Sequence, residues 1–261
     1  MCKMNQEQPL VSVITPAYNA SRFIGETIES VLAQTYTNWE MIIVDDCSTD
    51  HTVDIVKSYM KEDDRIKLFQ LEQNSGSGIA RNRAMDEAKG RFLAFLDSDD
   101  LWMPEKLSRQ IPFMLDNGLA FSFTKYVRMN EDGTMTNAVT KAPATVHYED
   151  LMKHCVIGCL TVVLDRSKIG EQRMLEIRTR QDYAFWLSLT RQGYLAYGLP
   201  EVLAKYRLVE NSISSNKLKV ARQNWRLYYK IEDQPLWKSL WYFANYATIS
   251  VMNLLKYRFK K

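Results

Sequence analysis

The chain has 261 residues, of which 46% are hydrophobic and 25% are charged, a balance typical of one large globular domain or of a domain with an appendage. A formal net charge of +3 is too small to indicate a nucleic-acid-binding protein. The first residues, MCKMNQEQP, contain no apolar stretch, so we expect no signal peptide and a cytoplasmic location.

Cysteines in a reducing compartment are expected to be free thiols. The chain has four of them: Cys2, Cys47, Cys155 and Cys159. The spacing of His154, Cys155 and Cys159 is not a standard zinc pattern and has no second pair, so we interpret these as incidental thiols.

The first 105 residues alternate between strand and helix patterns. Short apolar runs predict strands at Leu10–Thr15, Trp39–Val44, Ile66–Leu71 and Phe92–Leu96. Helices are predicted between them at RFIGETIESVLAQT, HTVDIVKSYMK and IARNRAMDEAK, the last closed by Gly90. This alternation predicts right-handed crossovers and a parallel sheet.

A polar segment follows each of these four strands. The segments are PAYN (16–19), DDCSTD (45–50), NSGSG (74–78) and DSDD (97–100). Because ligands of such sheets bind beyond the carboxyl ends of the strands, we expect the four segments to converge on one binding crevice. The glycines of NSGSG would let the backbone approach a ligand, and Asp45 and Asp46 could accept hydrogen bonds from a base or ribose.

Three carboxylates crowd the end of the fourth strand, at Asp97, Asp99 and Asp100. Their repulsion costs stability unless a cation lies among them, and Mg²⁺ and Mn²⁺ prefer oxygen ligands. The alternative is that Asp99 or Asp100 caps the helix that Pro104 would open. This segment alone leaves both interpretations open, and the four converging loops favour a binding site.

The second half is less regular. Strands are predicted at LAFSFTKYVRM (119–129), CLTVVL (159–164) and EVLAKYRL (201–208), with a hairpin turn at EDG (131–133). RQDYAFWLSLTRQG (180–193) is predicted to be an amphipathic helix with Asp182 in its first turn. The longer connections suggest a mixed sheet that receives a second substrate.

Five segments together resemble glycosyltransferase family 2, inverting enzymes of the GT-A fold. They are VSVITPAYNA (11–20), SVLAQTYTNWEMIIVDDCSTDHT (30–52), NSGSGIARNRA (74–84), FLAFLDSDDLWMPEKL (92–107) and RQDYAFWLSL (180–189). They occur in family order and span roughly residues 10–210. More narrowly, the chain resembles bacterial enzymes of teichuronic acid and surface-polysaccharide synthesis.

The resemblance implies an α/β GT-A domain with a mixed, mainly parallel sheet flanked by helices, over residues 1–215. Its nucleotide-binding half would span about 10–105 and its acceptor half about 106–215, followed by a C-terminal helical extension over 216–261.

The resemblance also implies residues that bind the nucleotide. Pro16, Ala17 and Tyr18 match the first nucleotide loop of the family. Asp45 and Asp46 match the second, where a carboxylate meets uracil or ribose.

The remaining matches concern the diphosphate and the reaction. Arg81 matches a residue often near the base. Asp97, Ser98 and Asp99 match the DxD motif, in which Asp97 and Asp99 would contact the sugar-nucleotide and hold a divalent metal, Mn²⁺ or Mg²⁺. Asp182 matches the general base.

The residue types agree with this chemistry. A metal on Asp99 would stabilise the leaving diphosphate, and Asp182 would take the proton of the acceptor hydroxyl, so that in-line displacement inverts the anomeric centre. Alternatively, Asp182 only complements the dipole of its helix.

Two positions depart from the family pattern. Gln181 stands where the ED motif often has Glu. No His follows Tyr206-Arg207, where many relatives have one, so either solvent or Glu210 would complete the metal coordination or the loop works differently; we do not assign Glu210 as a ligand.

The C-terminal segment from Pro235 to Lys261 is predicted to be helical. Leu240–Leu255 is short and polar for a spanning helix. Aromatic residues beside terminal Lys and Arg suit an interfacial helix, and a lipid-linked acceptor, common among similar enzymes, favours peripheral contact with the inner face of the membrane. The alternative is a helix packed on the domain or at a dimer interface. The aromatic residues are Trp237, Trp241, Tyr242, Phe243 and Tyr246.

The sequence therefore predicts an inverting, metal-dependent glycosyltransferase with a UDP-linked donor and a glycan or lipid-linked acceptor. A sugar nucleotidyltransferase would have a glycine-rich loop after the first strand, and PAYNA contains no glycine. A non-catalytic nucleotide-binding protein would not need Asp97, Asp99 and Asp182 intact.

Overall fold

Four parallel strands form one half of the central sheet in a computed structural model that describes residues 8–209 and 217–258. These strands are β1 (Val11–Ala17), β2 (Trp39–Asp45), β3 (Ile66–Gln70) and β4 (Phe92–Phe95), in the order β3-β2-β1-β4. The helices between them are α1 (Ile24–Leu32), α2 (Thr52–Met60) and α3 (Ser77–Glu87). The predicted alternation is confirmed. Cys2, Glu210 and the last three residues lie outside the described part of the chain.

In the part of the chain that the structure describes, six further strands complete a mixed ten-stranded sheet. They are β5 (Leu101–Trp102), β6 (Phe121–Asn130), β7 (Met135–Val139), β8 (Thr145–Val146), β9 (Val163–Asp165) and β10 (Ala196–Leu208). Strand β9 joins the halves because it pairs antiparallel with both β4 and β6, whereas β6 and β10 are parallel. The predicted hairpin joins β6 to β7, and its Gly133 has φ +87°.

Within the described residues, six helices accompany the second half of the chain. They are α4 (Lys106–Asp116), α5 (Tyr148–Lys153), α6 (Arg166–Ile169), α7 (Gln181–Arg191), α8 (Lys217–Arg226) and α9 (Leu236–Arg258). A short π-helix, Leu227–Ile231, follows α8.

Strands β1 and β2 are buried on both faces, so their side chains feed two hydrophobic clusters. Val13 and Ile43 pack in the cluster that holds the apolar sides of α1, α2 and α4. Their neighbours Ile14 and Ile42 pack in the cluster that holds those of α3, α5 and α7. The twofold alternation of strand side chains therefore places helices on both faces of the sheet.

Three predictions about the second half need correction. Residues 159–161 of the predicted strand CLTVVL form a 3₁₀ turn, and the strand begins only at Val163. Helix α7 is buried around most of its circumference rather than amphipathic, and Trp186 packs edge-to-face on Phe95 with ring centroids 5.5 Å apart. The last strand begins at Ala196 rather than at Glu201.

Gly90 does not close α3 as predicted, since the helix ends at Glu87 and Ala88 is already extended. Glycine is needed there for close packing. A Cβ on Gly90 would lie 2.7 Å from the Ser12 backbone nitrogen.

We therefore expect Gly90→Ala to lower the free energy of unfolding by about 1–3 kcal/mol, because the backbone of β1 must move to admit the methyl group. Gly25→Ala is the matched control. Its Cβ would meet nothing closer than the Tyr59 hydroxyl at 3.4 Å. We therefore expect the free energy of unfolding to rise by about 0.5–1 kcal/mol, because alanine lowers the backbone entropy of the unfolded chain. Urea unfolding of both variants measures the difference, and equal effects would contradict this explanation.

A fully buried lysine holds the 3₁₀ turn against α4. Lys106 Nζ donates to the Gln110 side chain and to the Thr161 carbonyl at 3.2 Å, and Gln110 Nε2 donates to the same carbonyl at 3.0 Å. Trp102 Nε1 donates to the Leu160 carbonyl at 2.8 Å. Burial lowers the pKa of Lys106 to about 7.

The unfolded chain binds a proton at Lys106 up to about pH 10.5, whereas the folded chain releases it above about pH 7. Stability therefore rises with pH between these values. We compare the free energies of unfolding of the wild type and of Lys106→Met. Across this pH interval, we expect their difference to change in favour of the wild type by on the order of 2–4 kcal/mol. Urea titrations at several pH values measure it, with exposed Lys168→Met as a control that shows no such trend. A difference that stays constant with pH would contradict a neutral buried lysine.

The C-terminal helices pack against the domain. Tyr242 is buried, and its hydroxyl donates to Glu149 on α5 at 2.6 Å. Its ring lies 6.0 Å from that of Tyr228. Trp237 and Trp241 of α9 are exposed. No helix within residues 8–209 and 217–258 combines the length and the apolar character needed to cross a membrane.

Candidate functional site

The loops that follow β1 to β4 lie along one edge of the sheet and are tied to one another. The Asn19 backbone N–H donates to Ser48 Oγ at 2.8 Å, which joins the first loop to the second. The Asp46 carboxylate accepts the backbone N–H groups of Ser75 and Gly76, each at 2.7 Å, which joins the second loop to the third. The predicted convergence of these loops is present in the fold.

The two adjacent aspartates at the end of β2 differ in their free hydrogen-bonding capacity. Both oxygens of Asp46 are used to hold the third loop. Asp45 is also buried, but only its Oδ2 has a partner, the Ser48 backbone N–H at 3.0 Å. Its Oδ1 has no partner among the described residues. Asp45 is therefore the one of the pair that retains a free acceptor.

The first loop contributes a buried backbone and one exposed ring to this edge of the sheet. Pro16 and Ala17 are the last two residues of β1 and are buried, and the Ala17 carbonyl accepts the Asp46 N–H at 2.8 Å. Tyr18 follows them with half of its surface exposed. This ring is free to contact a ligand at the strand edge.

Asp97 to Asp100 form a turn after β4, closed by the Asp100 N–H donating to the Asp97 carbonyl at 3.1 Å. Burial and the negative charge of Asp97 raise the pKa of Asp99 to about 6. Burial and its acidic neighbours raise the pKa of Asp100 well above its ordinary value. Ser98 lies between Asp97 and Asp99 in the turn and is partly exposed.

The alternative that Asp99 or Asp100 caps a helix is wrong. Helix α4 begins at Lys106, and Glu105 occupies its N-cap position. The Asp100 carboxylate instead accepts the Arg207 backbone N–H at 2.8 Å, from strand β10.

The carboxylates of the turn fit a metal that is shared with a phosphate. Within the described residues, no group of three or more His, Cys, Asp or Glu side chains is arranged to hold a metal ion. Mg²⁺ in phosphate-binding sites commonly uses one or two carboxylates and completes its shell with phosphate oxygens and water. A divalent cation would also offset the burial and the negative charge of Asp97 that together raise the pKa of Asp99.

Arg207 anchors this turn, a role that sequence reasoning missed. The side chain is buried and donates to the Asp99 carbonyl at 2.9 Å and to the Glu131 carbonyl at 3.0 Å. It also forms an ion pair with Glu26 of α1 at 2.6 Å. The Tyr206-Arg207 pair is visible in the sequence, but nothing local indicates which loops it would join.

Arg81 lies between the turn and the predicted base. It is buried on α3 and forms an ion pair with Asp97. Burial alone would lower the pKa of Arg81, but the charges of Asp97 and, more weakly, Asp182 raise it above its ordinary value. Nε and Nη1 of Arg81 are buried without partners among the described residues. The fold thus brings Asp97, Arg81 and Asp182 into one electrostatic cluster.

The segment before α7 is fixed to α3 by side-chain contacts that the sequence patterns do not reveal. Asn82 exchanges two hydrogen bonds with the backbone of Met174, at 2.8 and 2.9 Å. Gln181 Nε2 donates to Ser77 Oγ at 2.6 Å, so the residue that departs from the family pattern serves as a donor in this contact. These bonds hold the first turn of α7, with half-buried Asp182, beside Arg81.

The described cysteines are free thiols, as predicted: Cys47, Cys155 and Cys159. Burial raises the pKa of Cys155 to about 12, so it is an inert thiol at neutral pH.

Comparison with known sequences gives a consistent group of relatives. Residues 12–194 match the family described as "Glycosyl transferase family 2". The putative teichuronic acid biosynthesis glycosyltransferase TuaG of Bacillus subtilis is 52% identical over 97% of this chain and 100% of its own length. The Escherichia coli UDP-Glc:α-D-GlcNAc-diphosphoundecaprenol β-1,3-glucosyltransferase WfgD is 41% identical over 93% of this chain and 94% of its own.

Solved structures support the fold. TarS of S. aureus, in complex with UDP-GlcNAc, superposes with a TM-score of 0.65 over 85% of this chain and 67% of its own, at 23% identity. The mannosyltransferase PcManGT of Pyrobaculum calidifontis, in complex with GDP-Man and Mn²⁺, gives 0.67 over 88% of this chain and 66% of its own, at 19% identity. The mixed, mainly parallel sheet flanked by helices is thus the GT-A architecture, as predicted.

Proposed function

Because this chain belongs to glycosyltransferase family 2, and is therefore a glycosyltransferase, we propose that it moves a sugar from a UDP-linked donor to a hydroxyl of a lipid-linked glycan in surface-polysaccharide synthesis. The name of the B. subtilis relative supports the pathway class. The name of the E. coli relative supports a UDP-sugar donor and a diphosphate-linked lipid acceptor. The sugar-nucleotidyltransferase hypothesis loses its support, since the family is that of a different reaction.

On the donor side, Asp45 accepts a hydrogen bond from the base or ribose with its free Oδ1, and Asp46 keeps the third loop in place. Pro16, Ala17 and Tyr18 form the adjacent wall. Their position at the carboxyl ends of parallel strands supports this assignment.

At the diphosphate, Asp97, Ser98 and Asp99 contact the sugar-nucleotide, and Arg81 contributes positive charge with its two unpartnered nitrogens. A divalent cation, Mn²⁺ or Mg²⁺, held by Asp99 and Asp97 would stabilise the charge of the leaving diphosphate. Arg207 keeps the turn in the geometry that this requires.

Asp182 takes the proton from the acceptor hydroxyl as that oxygen attacks the anomeric carbon from the side opposite the diphosphate. A single in-line displacement inverts the anomeric centre. The observation that supports this proposal is the 2.6 Å hydrogen bond from Gln181 to Ser77, which holds the turn with Asp182 against α3, the helix whose Arg81 pairs with Asp97. Residues 106–215 would form the acceptor half.

The exposed aromatic residues of α9, with Trp237 at 67% exposure, support peripheral contact of the extension at 216–261 with the inner face of the membrane. A lipid-linked acceptor would be reached from that surface by a cytoplasmic enzyme.

Calorimetric titration of UDP, with and without Mn²⁺, tests the donor site. We expect UDP to bind at least about tenfold more tightly with Mn²⁺, and Asp99→Asn to lose that gain because a neutral amide is a poor ligand for a hard cation. Asp86→Asn, which removes an acid exposed on α3, is the matched control and should keep the gain. Equal affinity with and without metal would refute the metal role, and no binding of UDP would refute the donor assignment.

A further inference from the structure

A pocket of about 280 Å³ lies beside the beginning of α7 and is not part of the donor crevice. One wall is the segment at 176–180 that leads into α7, and the other is the end of α8 with the following π-helix. Three arginines line it, Arg178, Arg180 and Arg226, with one acid, Glu176. Three positive charges and one negative charge leave the lining with a net charge of +2. We name this the arginine pocket.

None of the three guanidinium groups forms an ion pair with a carboxylate of the described residues. Arg178 donates only to the neutral Asn74, to its side-chain oxygen at 2.7 Å and to its carbonyl at 3.0 Å. Nearby arginines that do not line the pocket are paired, Arg173 with Asp86 and Arg191 with Glu232. Unneutralised guanidinium groups that converge on a concave surface favour a phosphate-bearing ligand, because Arg binds phosphate with two parallel hydrogen bonds.

The arginine pocket lies within a short distance of the proposed base. Arg180 is the N-cap of α7, two residues before Asp182, so the two lie within one helical turn. Arg180 has φ +64°, an uncommon backbone conformation for a residue with a side chain. An anion held by Arg180 would therefore lie beside the residue proposed to bind the acceptor hydroxyl.

The same wall continues into the apolar surface of the extension. Leu227 and Ile231 line the pocket, and the chain continues from there into α9. The first turns of α9 expose four large apolar side chains: Leu236, Trp237, Leu240 and Trp241. These positions follow helical spacing and form one face. The chain thus connects the lining of the arginine pocket to an exposed apolar face, and these two surfaces suit a phosphate group and a hydrocarbon chain respectively.

We propose that the arginine pocket binds the diphosphate of an isoprenoid-diphosphate-linked acceptor, which places the acceptor sugar at Asp182 and the lipid along α9. This inference rests on the proposed function and names the acceptor site for it. Arg178 and Arg180 contact the diphosphate from the α7 side and Arg226 from the α8 side.

The test measures binding of farnesyl diphosphate to the full chain by calorimetry, with UDP and Mn²⁺ at saturation so that the donor site is filled. We expect Arg180→Gln and Arg226→Gln each to weaken this binding by at least about tenfold while UDP affinity stays unchanged. Arg109→Gln, which breaks an exposed ion pair with Glu201, is the matched control and should bind as the wild type does. Arg226→Lys keeps the charge and should recover part of the affinity.

Two further probes identify the ligand. Farnesol should not bind measurably, and inorganic pyrophosphate should bind more weakly than farnesyl diphosphate. If pyrophosphate binds as tightly as farnesyl diphosphate, the lipid chain is not recognised and that part of the proposal is wrong. If both glutamine variants bind farnesyl diphosphate as the wild type does, the arginine pocket is not the diphosphate site. Retained UDP binding in those experiments confines the failure to the acceptor site, whereas loss of UDP binding in the wild type refutes the proposed function and this inference with it.

Discussion

Replacing Asp182 by asparagine is expected to lower kcat for sugar transfer by about 10²–10⁴-fold, the usual contribution of a general base. Asparagine has nearly the same shape but cannot accept the proton of the acceptor hydroxyl. The segment before α7 stays anchored through Asn82 and Gln181, so the affinity for UDP should not change. Initial rates of transfer, together with calorimetry of UDP, separate the effect on chemistry from that on binding.

The alternative role of Asp182 makes a different prediction. If its charge only complements the dipole of α7, the asparagine variant would lose at most about 1 kcal/mol of stability and keep its turnover. Asp86→Asn controls for removal of an acid that is exposed and paired with Arg173. If Asp182→Asn transfers sugar at the wild-type rate, another residue must be the general base.

Replacing Arg207 by methionine is expected to lower the free energy of unfolding by about 2–4 kcal/mol, because its buried guanidinium makes two charge-assisted hydrogen bonds to backbone carbonyls, whereas its partner Glu26 is half exposed. The carbonyls of Asp99 and Glu131 would lose their donor, and Glu26 would lose its ion pair. Since the turn at 97–100 loses its anchor, the affinity for UDP with Mn²⁺ should fall as well. Urea unfolding and calorimetry measure the two effects.

The control for this variant is Arg109→Met. Arg109 forms an ion pair of similar length, 2.7 Å, with Glu201, but it is exposed. Exposed ion pairs contribute little to stability because water screens them, so this variant should be nearly as stable as the wild type. A similar small effect at both positions would mean that Arg207 does not hold the turn.

Local sequence patterns predicted the secondary structure correctly where the polarity of each residue depends only on the strand or loop that contains it. The apolar runs of β1 to β4 have few polar interruptions because these strands are buried on both faces, and the polar residues that follow them mark the strand ends. Similar runs were misleading elsewhere. Residues 159–161 have strand-like composition, but the hydrogen bonds from Lys106, Gln110 and Trp102 to the carbonyls of Leu160 and Thr161 hold them in a 3₁₀ turn. Helix α7 was predicted to have one polar face, but neighbouring elements bury it on several sides.

By itself, the sequence determined the order of strands and helices, the convergence of four polar loops and the carboxylates at the end of β4. These features follow from spacing along the chain, because the period of side chains and the direction of parallel strands are local properties. Only the tertiary structure decided that α3 brings Arg81 to Asp97 and to the turn with Asp182. It also decided that Arg207 anchors the turn at 97–100 and that three arginines line one pocket. Such contacts join residues far apart in sequence, and the packing of whole elements, which no local period encodes, sets them.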